Sequence, residues 1–300
     1  MEKENQKTAT HEKKQVALIS VFAAIVLTGF KLIVGLLTGS LGILSEALHS
    51  GLDLVAAVIT YFSVRVSDVP ADKKHNFGHG KVENLSALVE TILLLVTCTW
   101  IIYEAVSRLV SGKTEVEVNV WSYVVVVTSI FIDINRSRIL MKAAKKHNSQ
   151  ALEADALHFS TDIWSSAVVL LGLICANFGF FEADSIAALV VAAIVLLVSY
   201  KLGKKAIDVL LDRAPQESFE VVEKLLSTFP GIKSFHDLKI RTSGANTFIK
   251  VKIHFDSELT LKQAHDLCDS IELEIQKHVL RCEVTIHAEP HDESHILTEE

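Results

Sequence analysis

The sequence predicts an all-α membrane bundle of six transmembrane helices followed by a small α+β domain of order α-β-β-α-β, ferredoxin-like. Three observations predict it. Six stretches approach the roughly 20 apolar residues that a helix needs to cross the hydrocarbon core. Most of the apolar half of the 300-residue chain lies before residue 204. From Lys204 onward the pattern becomes that of an ordinary charged domain, with 12 Lys and Arg against 18 Asp and Glu.

The six stretches are Val16–Leu37, Leu41–Val64, Leu85–Ser107, Val118–Ile134, Ala156–Ala176 and Ala183–Tyr200. The fourth is the shortest and carries Asp133. Met1–Gln15 is charged in both signs and has no small-residue cleavage site before the apolar run, so it is read as a tail preceding a spanning helix, not a signal peptide. Lys and Arg collect at one end of the spans: at Lys3, Lys7, Lys13 and Lys14, around Lys73 and Lys81, from Arg136 to Lys146, and at Lys201, Lys204 and Lys205. The opposite end has only Arg108 and Lys113. The positive-inside rule therefore places both termini in the cytoplasm. The expected division is a tail over 1–15, a membrane domain over 16–203, a cytoplasmic metal-binding and dimerisation domain over 204–290, and a flexible end over 291–300.

Within the last hundred residues, Phe219–Thr228 and Leu261–Val279 have helical spacing. Ile232–Arg241 and Thr247–Phe255 alternate like strands around the turn signal Ser243-Gly244-Ala245-Asn246, and Cys282–His287 reads as a third strand. A net charge of −7, concentrated in this segment, excludes the basic stripe that a nucleic-acid binder needs. The apolar content excludes intrinsic disorder. Four cysteines without a CxxC pair exclude a disulfide-stapled fold.

Ionisable side chains inside a span are costly, and function is the usual reason they are kept. The second span holds His49 and Asp53, and the fifth holds His158 and Asp162. Each pair is H-x-x-x-D, and residues four apart share a helix face. Two such faces brought together offer two imidazoles and two carboxylates to one point, a donor set that suits tetrahedral zinc. Glu46, Lys31, Glu90 and Asp133 are further charges in the spans; Lys31 and Glu90 are candidates to pair, and Asp133 to sit at a helix end beside Arg136. In the loop after the second span, Asp72, His75 and His79 can converge if the glycines fold it tightly. The tail carries seven of the 13 histidines. His287-Ala288-Glu289 puts two donors on one side of an extended segment, and His236 and His265 can join them through folding. His291 and His295 are read as solvated.

These residues together resemble the cation diffusion facilitator family of metal/proton antiporters, including its bacterial zinc- and ferrous-iron-efflux members. The resemblance rests on six spans, H-x-x-x-D in the second and fifth, Phe77-Gly78-His79-Gly80-Lys81, Leu210-Leu211-Asp212-Arg213-Ala214-Pro215 and the α+β tail. It covers roughly residues 12–290. It implies a homodimer in the cytoplasmic membrane, a transport site at His49, Asp53, His158 and Asp162, and an auxiliary loop site at Asp72, His75 and His79. It also implies a tail site at His236, His265, His287 and Glu289, and a charge pair between Lys81 and Asp212. Lys252 stands where metal-loaded relatives place a histidine, so one tail metal is lost or re-ligated, with His254 the nearest replacement.

The expected function is efflux of a divalent cation, Zn²⁺ exchanged for protons by alternating access, with zinc also a candidate regulator at the tail. The alternatives are Fe²⁺, Co²⁺, Cd²⁺, Ni²⁺ or Mn²⁺ as main substrate, or a metal-sensing receptor without flux. An intramembrane metalloenzyme would want an HExxH or similar motif, which is absent.

Overall fold

The structure is a computed structural model and describes residues 2–39, 41–111, 120–177 and 182–291. The chain divides near residue 207 into two compact units. The first is built from six long helices: α1 (Glu2–Thr38), α2 (Leu41–Ser67), α3 (Lys81–Ser111), α4 (Val120–His147), α5 (Gln150–Asn177) and α6 (Glu182–Leu210), whose end crosses into the second unit. Among the described residues, Thr8–Thr38, Glu46–Ser67 and Lys81–Ser107 are long and apolar enough to cross a membrane. The proposed fourth span begins at 118, and positions 118 and 119 lie outside the described residues. The helix there runs on to His147 with Asp133 and Arg136 buried midway, so Asp133 sits well inside the helix and not at its end.

The outer face of α1 is apolar, with Leu18, Phe22, Ile25, Ile33 and Leu36 exposed. The interior holds Lys13, Lys31, Glu83, Glu90, Asp133, Arg136 and Asp155. That arrangement, apolar outside and polar within, belongs in lipid. Small side chains let the helices close on one another. Ala143 and Ala144 of α4 meet Ala151 and Ala156 of α5, with Ala17 of α1, in one cluster. Ala87 and Leu94 of α3 meet Ala154 of α5 and Ala192 of α6 in another.

Residues 2–15 are helical and continuous with the first apolar run, because no breaker separates them from it, and Lys13 within them is 1% exposed. One expectation needs correction here. Lys31 does not pair with Glu90: its ammonium donates to Ser50 Oγ at 2.8 Å and Glu46 Oε2 at 3.1 Å, one helix over, while Glu90 accepts from Thr60 and Ser86.

The second unit comprises α7 (Gln216–Thr228), β1 (Ser234–Ser243), β2 (Asn246–Asp256), α8 (Leu261–His278) and β3 (Cys282–His291). Its sheet order is β1-β2-β3. β1 and β2 form an antiparallel hairpin, and β3 returns through α8 to lie parallel to β2. Alternation puts Ile249, Val251, Ile253 and Phe255 on one side of β2, in a core shared with Val222 and Leu226 of α7 and Ile271 and Ile275 of α8. Lys250, Lys252 and His254 take the other side. β3 runs further than the expected Cys282–His287: Pro290 is tolerated on an edge strand, so His291 pairs with Asp256 and is half-buried, not part of a loose end. Residues 292–300, including His295, lie outside the described residues.

α8 starts in a capping box, Thr260 Oγ1 accepting from Gln263 N while Gln263 Oε1 accepts from Thr260 N at 2.9 Å. Thr260→Ala is expected to cost about 1 kcal/mol at this helix start. The measurement is amide exchange over residues 261–264, which should speed up while exchange in β2 does not change.

Candidate metal centre

The pairs His49/Asp53 on α2 and His158/Asp162 on α5 meet face to face. His158 Nε2 lies 3.1 Å from Asp53 Oδ1 and 3.6 Å from Asp162 Oδ2, and His49 Nε2 lies 3.8 Å from Asp162 Oδ1. Bonds of about 2.0–2.1 Å in a tetrahedron separate neighbouring donor atoms by roughly 3.3 Å. These three spacings straddle that value. His49, Asp53 and Asp162 also present donor atoms within 4.8 Å of one another. Asp53 and His158 are buried, and Asp162 Oδ2 is enclosed with no hydrogen-bond partner among the described residues. An enclosed carboxylate oxygen left without a donor is a place for a cation.

Neighbouring polar contacts hold α1 and α4 against this centre. Thr28 Oγ1 donates to Ser50 O at 2.9 Å, beside His49 in sequence, and Lys31 reaches Ser50 and Glu46. Arg136 of α4 donates to Asp133 at 3.4 Å and to Ser20 of α1 at 3.1 Å, its guanidinium 3.5 Å over the Phe159 ring. Ser20 in turn donates to Asp155 Oδ2 at 3.1 Å. Sequence reasoning passed over Asp155, because it lies one residue before the expected fifth span. Its place three residues ahead of His158, on the same helix face, was the available signal.

In the loop, Asp72, His75 and His79 come together: Asp72 Oδ1 is 3.3 Å from His75 Nδ1, and Oδ2 is 3.6 Å from His79 Nε2. Gly78 makes this possible with its φ of +76°, a left-handed conformation that glycine adopts without strain. The backbone N–H groups of His75 and Lys74 donate to the Asp72 carboxylate at 2.6 and 2.8 Å and hold it below its ordinary carboxylate value. It therefore stays available as an ionised ligand in mildly acidic solution.

In the tail, the trio that converges is His236, His254 and Glu289. His254 Nε2 is 3.0 Å and His236 Nε2 3.7 Å from Glu289 Oε2. Register explains it, since His254 lies directly opposite Glu289 on β3. His287 reaches the other Glu289 oxygen at 3.4 Å but is largely exposed. His265 does not join them: α8 packs on the opposite face of the sheet, and His265 faces Asp269 at 3.8 Å. Lys252 fills the row between His236 and His287, 3.7 Å from Glu289. Burial tends to raise the Glu289 carboxyl, but the Lys252 ammonium, His236 and the His254 hydrogen bond outweigh it and hold it below its ordinary value.

Residues 17–211 match the cation efflux transmembrane domain, and residues 214–291 match the cytoplasmic domain of cation efflux proteins. The chain belongs to the cation efflux family. The cation-efflux pump FieF of Serratia proteamaculans is 31% identical over 278 residues, 92% of either chain. Its namesake in Shewanella oneidensis is likewise 31% identical, over 92% of this chain and 94% of that one. Among solved structures, the metal-bound C-terminal domain of the CzcD transporter from Thermotoga maritima is 33% identical, covering 25% of this chain and 87% of that one, with a TM-score of 0.24. This cation efflux protein is thus a membrane-embedded transporter of divalent cations with a dimer-forming cytoplasmic domain, and it is not an enzyme.

Proposed function

We propose that this cation efflux protein is a Zn²⁺/H⁺ antiporter of the cytoplasmic membrane whose ion rides on His49, Asp53, His158 and Asp162. The observation that carries the reading is the convergence of two imidazoles and two carboxylates in the helical bundle, three of whose donor spacings lie near the edge of a tetrahedral ion site. Proton exchange follows from the donors themselves. A metal needs neutral imidazole and ionised carboxylate, so loading expels protons and protonation expels the ion. Histidine changes charge nearest to physiological pH, which lets a modest pH difference drive the cycle.

The Lys and Arg distribution supports an orientation in which both termini, the 69–79 loop and the tail face the cytoplasm. The loop trio has three donors and is largely exposed, which suits a weak, exchangeable ion on the approach to the bundle. The tail match supports a homodimer. A donor set of nitrogen and oxygen does not by itself reject Fe²⁺, Co²⁺, Cd²⁺, Ni²⁺ or Mn²⁺. Metal competition in a transport assay therefore decides the cargo.

The coupling is tested in proteoliposomes loaded with a zinc dye. An imposed gradient of one pH unit is expected to drive zinc accumulation against its own gradient, up to about tenfold for each proton exchanged. Zinc flux that ignores the gradient and releases no protons overturns antiport.

A further inference from the structure

At the end of the bundle that bears the 69–79 loop lies a charge cluster outside the transport site. Lys13 of α1 donates to Asp68 Oδ1, just past α2, at 2.6 Å and to Glu83 Oε1 of α3 at 3.1 Å. Glu83 also accepts from Ser67 at 2.9 Å and from Ser149, next to the start of α5, at 2.6 Å. Lys13 and Glu83 are each 1% exposed. Asn84 Nδ2 donates to Gln150 Oε1 at 2.5 Å beside them. One ammonium thus ties α1 to the ends of α2 and α3, with α5 held through the same carboxylate.

We propose that Lys13 is the bolt of a cytoplasmic gate, a positioning residue that keeps this end of the bundle shut while the ion is released on the other side. Efflux requires the transport site to open toward the cytoplasm once in every cycle, and in this gate α1 parts from the ends of α2 and α3 for it. A buried ion pair roughly balances Coulomb attraction against lost hydration. Exchanging it for water therefore costs little net free energy, and the latch can open and close while fixing one geometry when shut. Neighbouring Glu12 binds Lys146 and His147 of α4 at 2.6 and 3.1 Å, so α1 stays anchored on its other side as the bolt is drawn. The word cytoplasmic rests on the orientation proposed above; the latch itself does not.

Two experiments on the full-length protein in proteoliposomes test it, in a transport-competent background with Cys98, Cys175, Cys268 and Cys282 replaced by alanine. In the first, Lys13→Cys with Glu83→Cys is bridged by a short cleavable bis-methanethiosulfonate. Bridging is expected to lower zinc transport at least tenfold and cleavage to restore it; a bridged protein that transports at the unbridged rate overturns the gate. In the second, Ala57→Cys, one turn beyond Asp53 on α2, is labelled with an impermeant thiol reagent from either side. Lys13→Met is expected to speed labelling from the loop side at least fivefold and to leave the other side unchanged. Equal rates with and without Lys13→Met, in protein that retains its thermal unfolding transition, overturn it. Labelling of Val69→Cys reports independently which side this end faces, so a wrong orientation is told apart from a wrong latch.

Discussion

Asp53→Ala is expected to lower metal transport on the order of 100-fold or more while the protein folds and inserts normally. Losing a partner that merely orients a ligand already costs about 10–100-fold in affinity at metal sites, so losing a ligand costs at least the upper end of that range. Asp53 is also the hydrogen-bond partner of His158, 3.1 Å away, so its removal frees the imidazole that should stay fixed. Folding should not suffer, because burying a carboxylate costs free energy that alanine does not. Asp53→Asn separates shape from charge: it keeps the volume, loses the anionic donor, and is expected to be nearly as inactive. The measurement is zinc flux in proteoliposomes normalised to inserted protein. Flux within twofold of wild type for both variants would place the transported ion elsewhere.

The second large effect is on stability. Arg136→Met is expected to destabilise the bundle by about 3–5 kcal/mol, the usual cost of deleting one partner of a buried ion pair. Arg136 faces Asp133 on its own helix, Ser20 on α1 and the Phe159 ring on α5. Through Ser20 it also holds the neighbour of Asp155, which is fully buried. Methionine fills the space over Phe159 but leaves Asp133 without its cation. Asp133→Asn with Arg136→Met is expected to recover more than half of the loss, because the pair is then removed together. Denaturant unfolding in detergent micelles reads both values. A single variant as stable as wild type would mean that Arg136 contributes only packing.

Much of the proposed transport site was legible because helices impose a period. His49 with Asp53, and His158 with Asp162, had to share helix faces once their segments were read as helices, and their cost in lipid marked them as functional. The same reasoning misplaced Lys31 and Glu90. Both lie in apolar stretches, and nothing in the spacing says that Lys31 finds Glu46 and Ser50 on α2 while Glu90 finds Thr60 and Ser86. The tail shows the same limit: spacing put His287 and Glu289 on one side of a strand, yet which histidine meets Glu289 depended on register with β2.

By itself, the sequence determined the local order: apolar runs long enough to be helices in lipid, the two-part division of the chain, the alternating strands of the tail, and the four donors on two helix faces. These follow from interactions between residues near one another along the chain. Only the tertiary structure decided which faces meet. It turned Lys13 from a tail residue into a buried bridge, seated Asp155 beside Ser20, and put a sheet between His265 and Glu289. Those outcomes are set by packing and by the need of each buried charge for a partner on another element, which no period along the chain encodes.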